Sequence, residues 1–264
     1  TELALAVAYP YAGNIGGGGF MVYRKNDGEI GALDYREKAP LAATRDMYLD
    51  KEGNVIKGKS TIGATSVGVP GTVAGVFKAQ EKFGLLSVKE ILSPVIALAK
   101  KGVTVTKKQE DRIKKFKKAF ETVNSKRILF LRDWKEGDII KYKALAITLE
   151  RISKNGRDEF YKGKTAKVLA QFIQDNGGII TEEDLAKYEA KWRDPIEFEY
   201  KDVRVISMPP PSSGGVCIAQ ILKSIEPYDI GQLKHNSIEY IQLLVEAERR
   251  VYADRSFFLG DPDF

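Results

Sequence analysis

The stretch Gly13-Asn14-Ile15-Gly16-Gly17-Gly18-Gly19-Phe20-Met21-Val22-Tyr23-Arg24 continues through Asn26-Asp27-Gly28 into a second apolar run, Ile30 to Arg36. A turn of this composition between two such runs predicts a β-hairpin of Phe20–Arg24 and Ile30–Arg36. A phosphate-binding loop runs from a strand through glycines into a helix, so that amides at the helix start face the anion. Here the order is reversed: an apolar helical run, Leu3 to Ala8, precedes the glycines, a strand follows them, and no Lys-Ser/Thr comes next. Nucleotide binding is therefore set aside. Two readings of the glycines stay open: close backbone packing where only glycine fits, and a backbone wall beside a ligand.

The hairpin ends in Asp34-Tyr35-Arg36-Glu37. Strand alternation puts Tyr35 on one face and Asp34 with Arg36 on the other. An arginine at a strand end suits a carboxylate ligand, because its planar fork gives two parallel charge-assisted hydrogen bonds. Spacing alone favours the plainer alternative, a surface arginine paired with Asp34 or Glu37.

Beyond the hairpin the pattern is mostly helical. Helices are predicted over Pro70–Phe83, Val88–Lys101 (interrupted early by Pro94 and closed by Gly102), Thr106–Glu121, Tyr142–Ser153 and Phe160–Gln174. Thr181-Glu182-Glu183-Asp184 reads as a capping box with Asp184 in the usual Glu position. Two strands, Ile196–Tyr200 and Val203–Met208, flank Lys201-Asp202, and helices over Ser213–Ile225 and Ser237–Tyr252 close the chain.

Composition narrows the classes. The 264 residues are 43% hydrophobic and include 12 Phe, 12 Tyr and 2 Trp, enough to build a packed core and too many for a disordered chain. No run of 18 apolar residues offers a transmembrane segment. One cysteine, Cys217, excludes an internal disulfide, and one histidine, His235, excludes a His- or Cys-rich metal site. The net charge of +6 is concentrated: Lys101–Lys135 holds 12 Lys/Arg against 4 Asp/Glu, so the remainder is slightly acidic. That is not a nucleic-acid binder's distribution, and no aromatic is interleaved on the basic face of Lys107–Lys118 to stack a base. The solvated side of an amphipathic helix is the plain reading there; a non-enzymatic basic binding module is the alternative from a different class.

Two hydroxyl candidates are weak. Ser212-Ser213-Gly214-Gly215 lacks the Gly-x-Ser-x-Gly elbow, and Ser213 reads as a helix N-cap. Thr1 leads into a helical run, whereas an N-terminal nucleophile opens a strand at a site's edge. Thr1 without an initiator Met, and the turn Gly260–Phe264, suggest a piece of a larger protein.

Several stretches taken together resemble the large subunit of γ-glutamyltranspeptidase (γ-glutamyltransferase). They are Gly13–Phe20, Leu33-Asp34-Tyr35-Arg36-Glu37-Lys38-Ala39-Pro40, Val67–Gly75, Gly178–Leu185, Trp192-Arg193-Asp194-Pro195, Pro209–Gly215 and Tyr252–Ser256, in family order along the chain. The resemblance implies an α+β N-terminal-nucleophile hydrolase, an αββα sandwich formed after a precursor cuts itself into large and small subunits. Residues 1–264 are then the large-subunit portion of one domain, without its N-terminal part and without the small subunit. The nucleophile is the threonine that opens the small subunit, so no catalytic residue is expected in this chain. Substrates are γ-glutamyl compounds such as glutathione, and the acceptor is water, an amino acid or a peptide. No cofactor or metal is implied, and the compartment is periplasmic, secreted or cell-surface. Residue by residue, Arg36 aligns with the family arginine that binds the substrate α-carboxylate, with Glu37 as a weaker orienting neighbour. A relative acting on poly-γ-glutamate or acyl side chains is the runner-up.

Overall fold

The computed structural model describes residues 1–124 and 128–263. The charges of Lys126 and Arg127, and Phe264 at the end of the predicted last turn, lie outside the described residues. The elements in order are α1 (Glu2–Ala8), β1 (Phe20–Arg24), β2 (Ile30–Asp34), α2 (Thr72–Phe83), α3 (Val88–Lys101) and β3 (Val103–Thr104). Then come α4 (Lys107–Val123), β4 (Ile139–Ile140), α5 (Lys143–Asn155), α6 (Asp158–Tyr161), α7 (Lys164–Asp175) and α8 (Glu182–Ala186). The chain closes with β5 (Lys191–Arg193), β6 (Ile196–Tyr200), β7 (Val203–Ser207), α9 (Gly214–Ile225) and α10 (Ile238–Phe258).

Two compact units result. One holds residues 1–19 and 35–190; the other holds residues 20–34 and the chain from Lys191 onward. In the first, α3 packs on α1 and on α5, and α6 packs on α5, α7 and α8. Val7, Leu92, Ala99, Leu149, Ile152 and Phe160 are buried there, each larger side chain contributing about 1.5–3 kcal/mol. Capping boxes start three helices: Ser87 with Glu90 on α3, Thr106 with Gln109 on α4, and Thr181 with Asp184 on α8. In the second unit β1, β2 and β5 form an antiparallel sheet with Leu33 opposite both Met21 and Trp192. The β6–β7 hairpin packs on α9, and α9 on α10. Along α10, Ile238, Ile241, Val245, Tyr252, Phe257 and Phe258 are exposed.

Four expectations need correction. Strand β2 stops at Asp34 rather than Arg36. Tyr35 still exchanges main-chain bonds with Gly19, but beyond that pair Gly17 turns its carbonyl to Gly71 and Thr72, so no partner remains to extend the ladder. Pro94 does not interrupt α3, because burial of Leu92, Val95 and Ala99 on one face holds the helix across the single missing N–H. Phe160–Gln174 is two helices parted at Gly163, where Glu159 accepts both the amide (3.2 Å) and the hydroxyl (2.9 Å) of Thr165. Ser213 occupies the N-cap of α9 without a side-chain bond; the hydroxyl of Ser212 accepts from the Gly214 amide instead, at 3.2 Å.

Candidate functional site

Arg36 and Glu37 follow β2 after Tyr35, in a segment held by main-chain bonds. Tyr35 and Gly19 exchange two, of 3.0 and 3.2 Å; Lys38 and Val69 exchange two, of 3.1 and 2.7 Å. Beneath them the Gly17 carbonyl accepts from the amides of Gly71 (2.8 Å) and Thr72 (2.9 Å), tying the start of α2 to the glycine tract. The approach is close enough to require glycine. A Cβ on Gly18 would stand 2.6 Å from the Tyr35 carbonyl oxygen, 2.7 Å from the Glu37 nitrogen and 2.8 Å from Glu37 Oε2. Of the two readings left open for the tract, close packing holds at Gly18, while Gly16 is part of the cavity wall described below. The same contact sets the Glu37 carboxylate against the glycines.

Tyrosines hold the segment from below. The Tyr188 hydroxyl donates to the Arg36 carbonyl at 2.8 Å. Its ring stacks on Tyr161, whose buried hydroxyl donates to the Pro70 carbonyl and accepts from the Ala74 amide, both at 3.0 Å. Burial pushes the Tyr161 phenol well up. The Tyr35 phenol donates to Glu2 at 3.2 Å; burial raises it, and the Glu2 charge raises it further. Burial also raises Glu2, against the bond from Tyr35 that lowers it.

Arg36 and Glu37 line a cavity of about 640 Å³ together with Gly16, Lys38, Met47, Tyr48 and the stretch Thr65–Gly68. The loop on its far side is fastened twice: Tyr48 donates to the Thr65 carbonyl at 2.9 Å, and the Leu41 amide donates to Asp184 at 2.6 Å. One guanidinium, one carboxylate, one ammonium and several hydroxyls around apolar patches suit a small zwitterionic ligand. Among the described residues no group of three or more His, Cys, Asp or Glu is arranged to hold a metal ion.

Asp34, weighed as a partner for Arg36, is buried and bonded at 2.8 Å by Arg193, which also holds Asp263. Thr1 occupies the N-cap position of α1 without a side-chain capping bond, His235 sits in the turn before α10, and Cys217 is buried in α9. The basic face of α4 is laced with acids: Lys107 bonds Asp111 at 2.9 Å, Lys117 bonds Asp133 at 2.5 Å, and Lys114 bonds Glu110. Bonds from Lys114 and the Glu136 amide take Glu110 down to about 2. Tyr161, Tyr188 and the reach of Asp184 to Leu41 had no signal in the sequence, because each partner is 87 to 152 residues away.

The sequence profile of the gamma-glutamyltranspeptidase family matches residues 1–264. This chain belongs to that family. Among gamma-glutamyltranspeptidase relatives, it is 47% identical over 265 residues to the glutathione hydrolase proenzyme of Pseudomonas sp. (strain A14). It is 46% identical over 269 residues to the glutathione hydrolase proenzyme of Escherichia coli (strain K12). Each match takes in 99% of this chain and 46% of the relative, so the chain spans about half the length of these proteins. The crystal structure of Helicobacter pylori gamma-glutamyltranspeptidase superposes with a TM-score of 0.95 at 43% identity, covering 100% of this chain and 76% of that one. The α+β, N-terminal-nucleophile hydrolase fold expected from the motifs is thereby established. No helix among the described residues is long and apolar enough to cross a membrane.

Proposed function

We propose that this chain is the large-subunit portion of a γ-glutamyltransferase and glutathione hydrolase, and that Arg36 binds the α-carboxylate of the γ-glutamyl group. The observation that carries this is the mounting of Arg36: a guanidinium on a main-chain clasp, lining a 640 Å³ cavity, in a family member close to glutathione hydrolases. A bidentate pair with the carboxylate fixes one end of the donor and so orients the distant γ-amide. Glu37, set against the glycines beside it, gives the cavity its negative side.

In this reading the chemistry is completed by a second chain cut from the same precursor. Its N-terminal threonine hydroxyl attacks the γ-carbonyl, and its own α-amine takes the proton and passes it to the departing amine. The γ-glutamyl ester then goes to water, giving glutamate, or to the amine of an amino acid or peptide, giving a new γ-glutamyl amide. Residues 1–264 supply one part of the shared domain, and the apolar residues exposed along α10 are surface for the second chain to cover. The compartment is periplasmic, secreted or cell-surface.

The test is kinetic, on the complete enzyme with γ-glutamyl-p-nitroanilide. Arg36→Ala and Arg36→Lys raise KM by roughly tenfold or more, as loss of a charged hydrogen-bond pair requires. An unchanged KM removes Arg36 from the site. Turnover of poly-γ-glutamate in preference to γ-glutamyl-p-nitroanilide would move the assignment to the polymer-acting relatives.

A further inference from the structure

We propose that Tyr188 is a positioning residue for Arg36: its hydroxyl fixes the peptide plane that aims the guanidinium. The proposal rests on the reading of Arg36 given above. The hydrogen bonds between Tyr35 and Gly19 and between Lys38 and Val69 secure the main chain on either side of residues 36 and 37. The carbonyl between those anchors belongs to Arg36, and the Tyr188 hydroxyl donates to it at 2.8 Å. Holding that carbonyl fixes the orientation of the Arg36–Glu37 peptide, and with it the direction in which the Arg36 side chain leaves the backbone.

The post itself is immobilised. Tyr188 is 2% exposed. Its ring lies 5.6 Å from that of Tyr161 at an interplanar angle of 11°. Arg157 donates to the main-chain oxygen of Tyr188 and stands 4.4 Å from the centroid of the Tyr161 ring. Lys38 Nζ is 5.7 Å from the centroid of the Tyr188 ring. Space for the hydroxyl exists because residue 71 is glycine: a Cβ there would stand 2.1 Å from Tyr188 Oη. A buried phenol needs a partner for its hydrogen. This one finds it on the residue that the proposed function makes the carboxylate clamp. A small rotation of that peptide is magnified along the length of the arginine side chain, so binding of the donor suffers and the chemical step does not.

The experiment compares four variants of the complete enzyme, three single and one double, with γ-glutamyl-p-nitroanilide. Tyr188→Phe keeps the ring and deletes the donor; it raises KM by about two- to tenfold, the span of one ordinary hydrogen bond, at unchanged kcat. Tyr161→Phe also deletes a buried hydroxyl, one that bonds Pro70 and Ala74 rather than Arg36. It lowers the thermal midpoint and raises KM less than Tyr188→Phe does. In an Arg36→Ala background Tyr188→Phe adds nothing further to KM, which a merely structural role would not predict. If Arg36→Ala raises KM and Tyr188→Phe does not, the positioning role is overturned while the reading of Arg36 stands. If both tyrosine variants raise KM alike, general loosening explains the effect and the proposal fails. If Arg36→Ala itself leaves KM unchanged, the substrate reading falls and takes this one with it.

Discussion

Arg193 bonds Asp34 at 2.8 Å through both Nε and Nη2, at the point where the third strand of the sheet closes on the second. Both side chains are largely withdrawn from water, so the pair is worth most as a pair. Arg193→Ala takes the arginine of the ion pair away from the buried Asp34 carboxylate, and costs about 3–5 kcal/mol. Replacing both residues with apolar ones of similar size costs far less. Chemical denaturation of the two variants checks the difference; equal losses would show that the charge was never sequestered.

Acid should loosen the same cluster. Bonds from Arg193 and Lys191 hold Asp263 down to about 2, against an ordinary value of 3.8. A carboxylate depressed in the folded state contributes fully above its unfolded pKa, and the contribution drains away as pH falls through the folded value. Stability therefore drops between pH 3.8 and about 2, with Glu110, also taken to about 2, acting in the same direction. Thermal midpoints followed downward from pH 5 or so reveal the slope, and Asp263→Asn flattens it. Parallel curves for wild type and variant would contradict the assignment.

Gly71→Ala is expected to be among the costliest glycine substitutions. The new Cβ meets the Tyr35 carbonyl oxygen at 1.9 Å, main chain that cannot simply swing aside. Overpacking of this kind costs ~3 kcal/mol or more. Gly53→Ala is the comparison: nothing lies within 4 Å, and only its φ of +84° is unfavourable, for about 1–2 kcal/mol. Urea midpoints that ranked the two in the opposite order would mean the close approach at Gly71 is misplaced.

Asp184 serves two masters. It accepts the amide and hydroxyl of Thr181, both at 2.7 Å, and the Leu41 amide at 2.6 Å. Asp184→Ala loses the cap and one of the two fastenings of the loop that rims the cavity, for ~1–3 kcal/mol. Thr181→Ala loses only the cap, for about 1 kcal/mol. Protection of the Leu41 amide from hydrogen exchange separates them: it is lost in the first variant and kept in the second.

How much of this was legible beforehand follows from sequence distance. The hairpin was, because Asn26-Asp27-Gly28 is a local turn and the flanking apolar runs are short and continuous. So was the Thr181–Asp184 box, whose partners are three residues apart. Arg36 stood out by its motif, but not by its surroundings: alternation grouped it with Asp34, which turned out to be committed to an arginine 159 residues on. Strand β5, three residues long, is too brief for any periodicity to show. Tyr188 falls just beyond α8 and outside every motif quoted. Its importance lies in a carbonyl 152 residues earlier in the chain, and carbonyls carry no sequence signature.

The platform under Arg36 is made from amides and carbonyls of Gly17, Gly19, Tyr35, Lys38, Val69 and Gly71. Such groups neither titrate nor attract counterions, so acid or brine that dissolves the ion pairs of this protein leaves that footing in place. An environment of shifting acidity and salinity would then alter how tightly the whole molecule holds together sooner than it alters where this one cation is anchored.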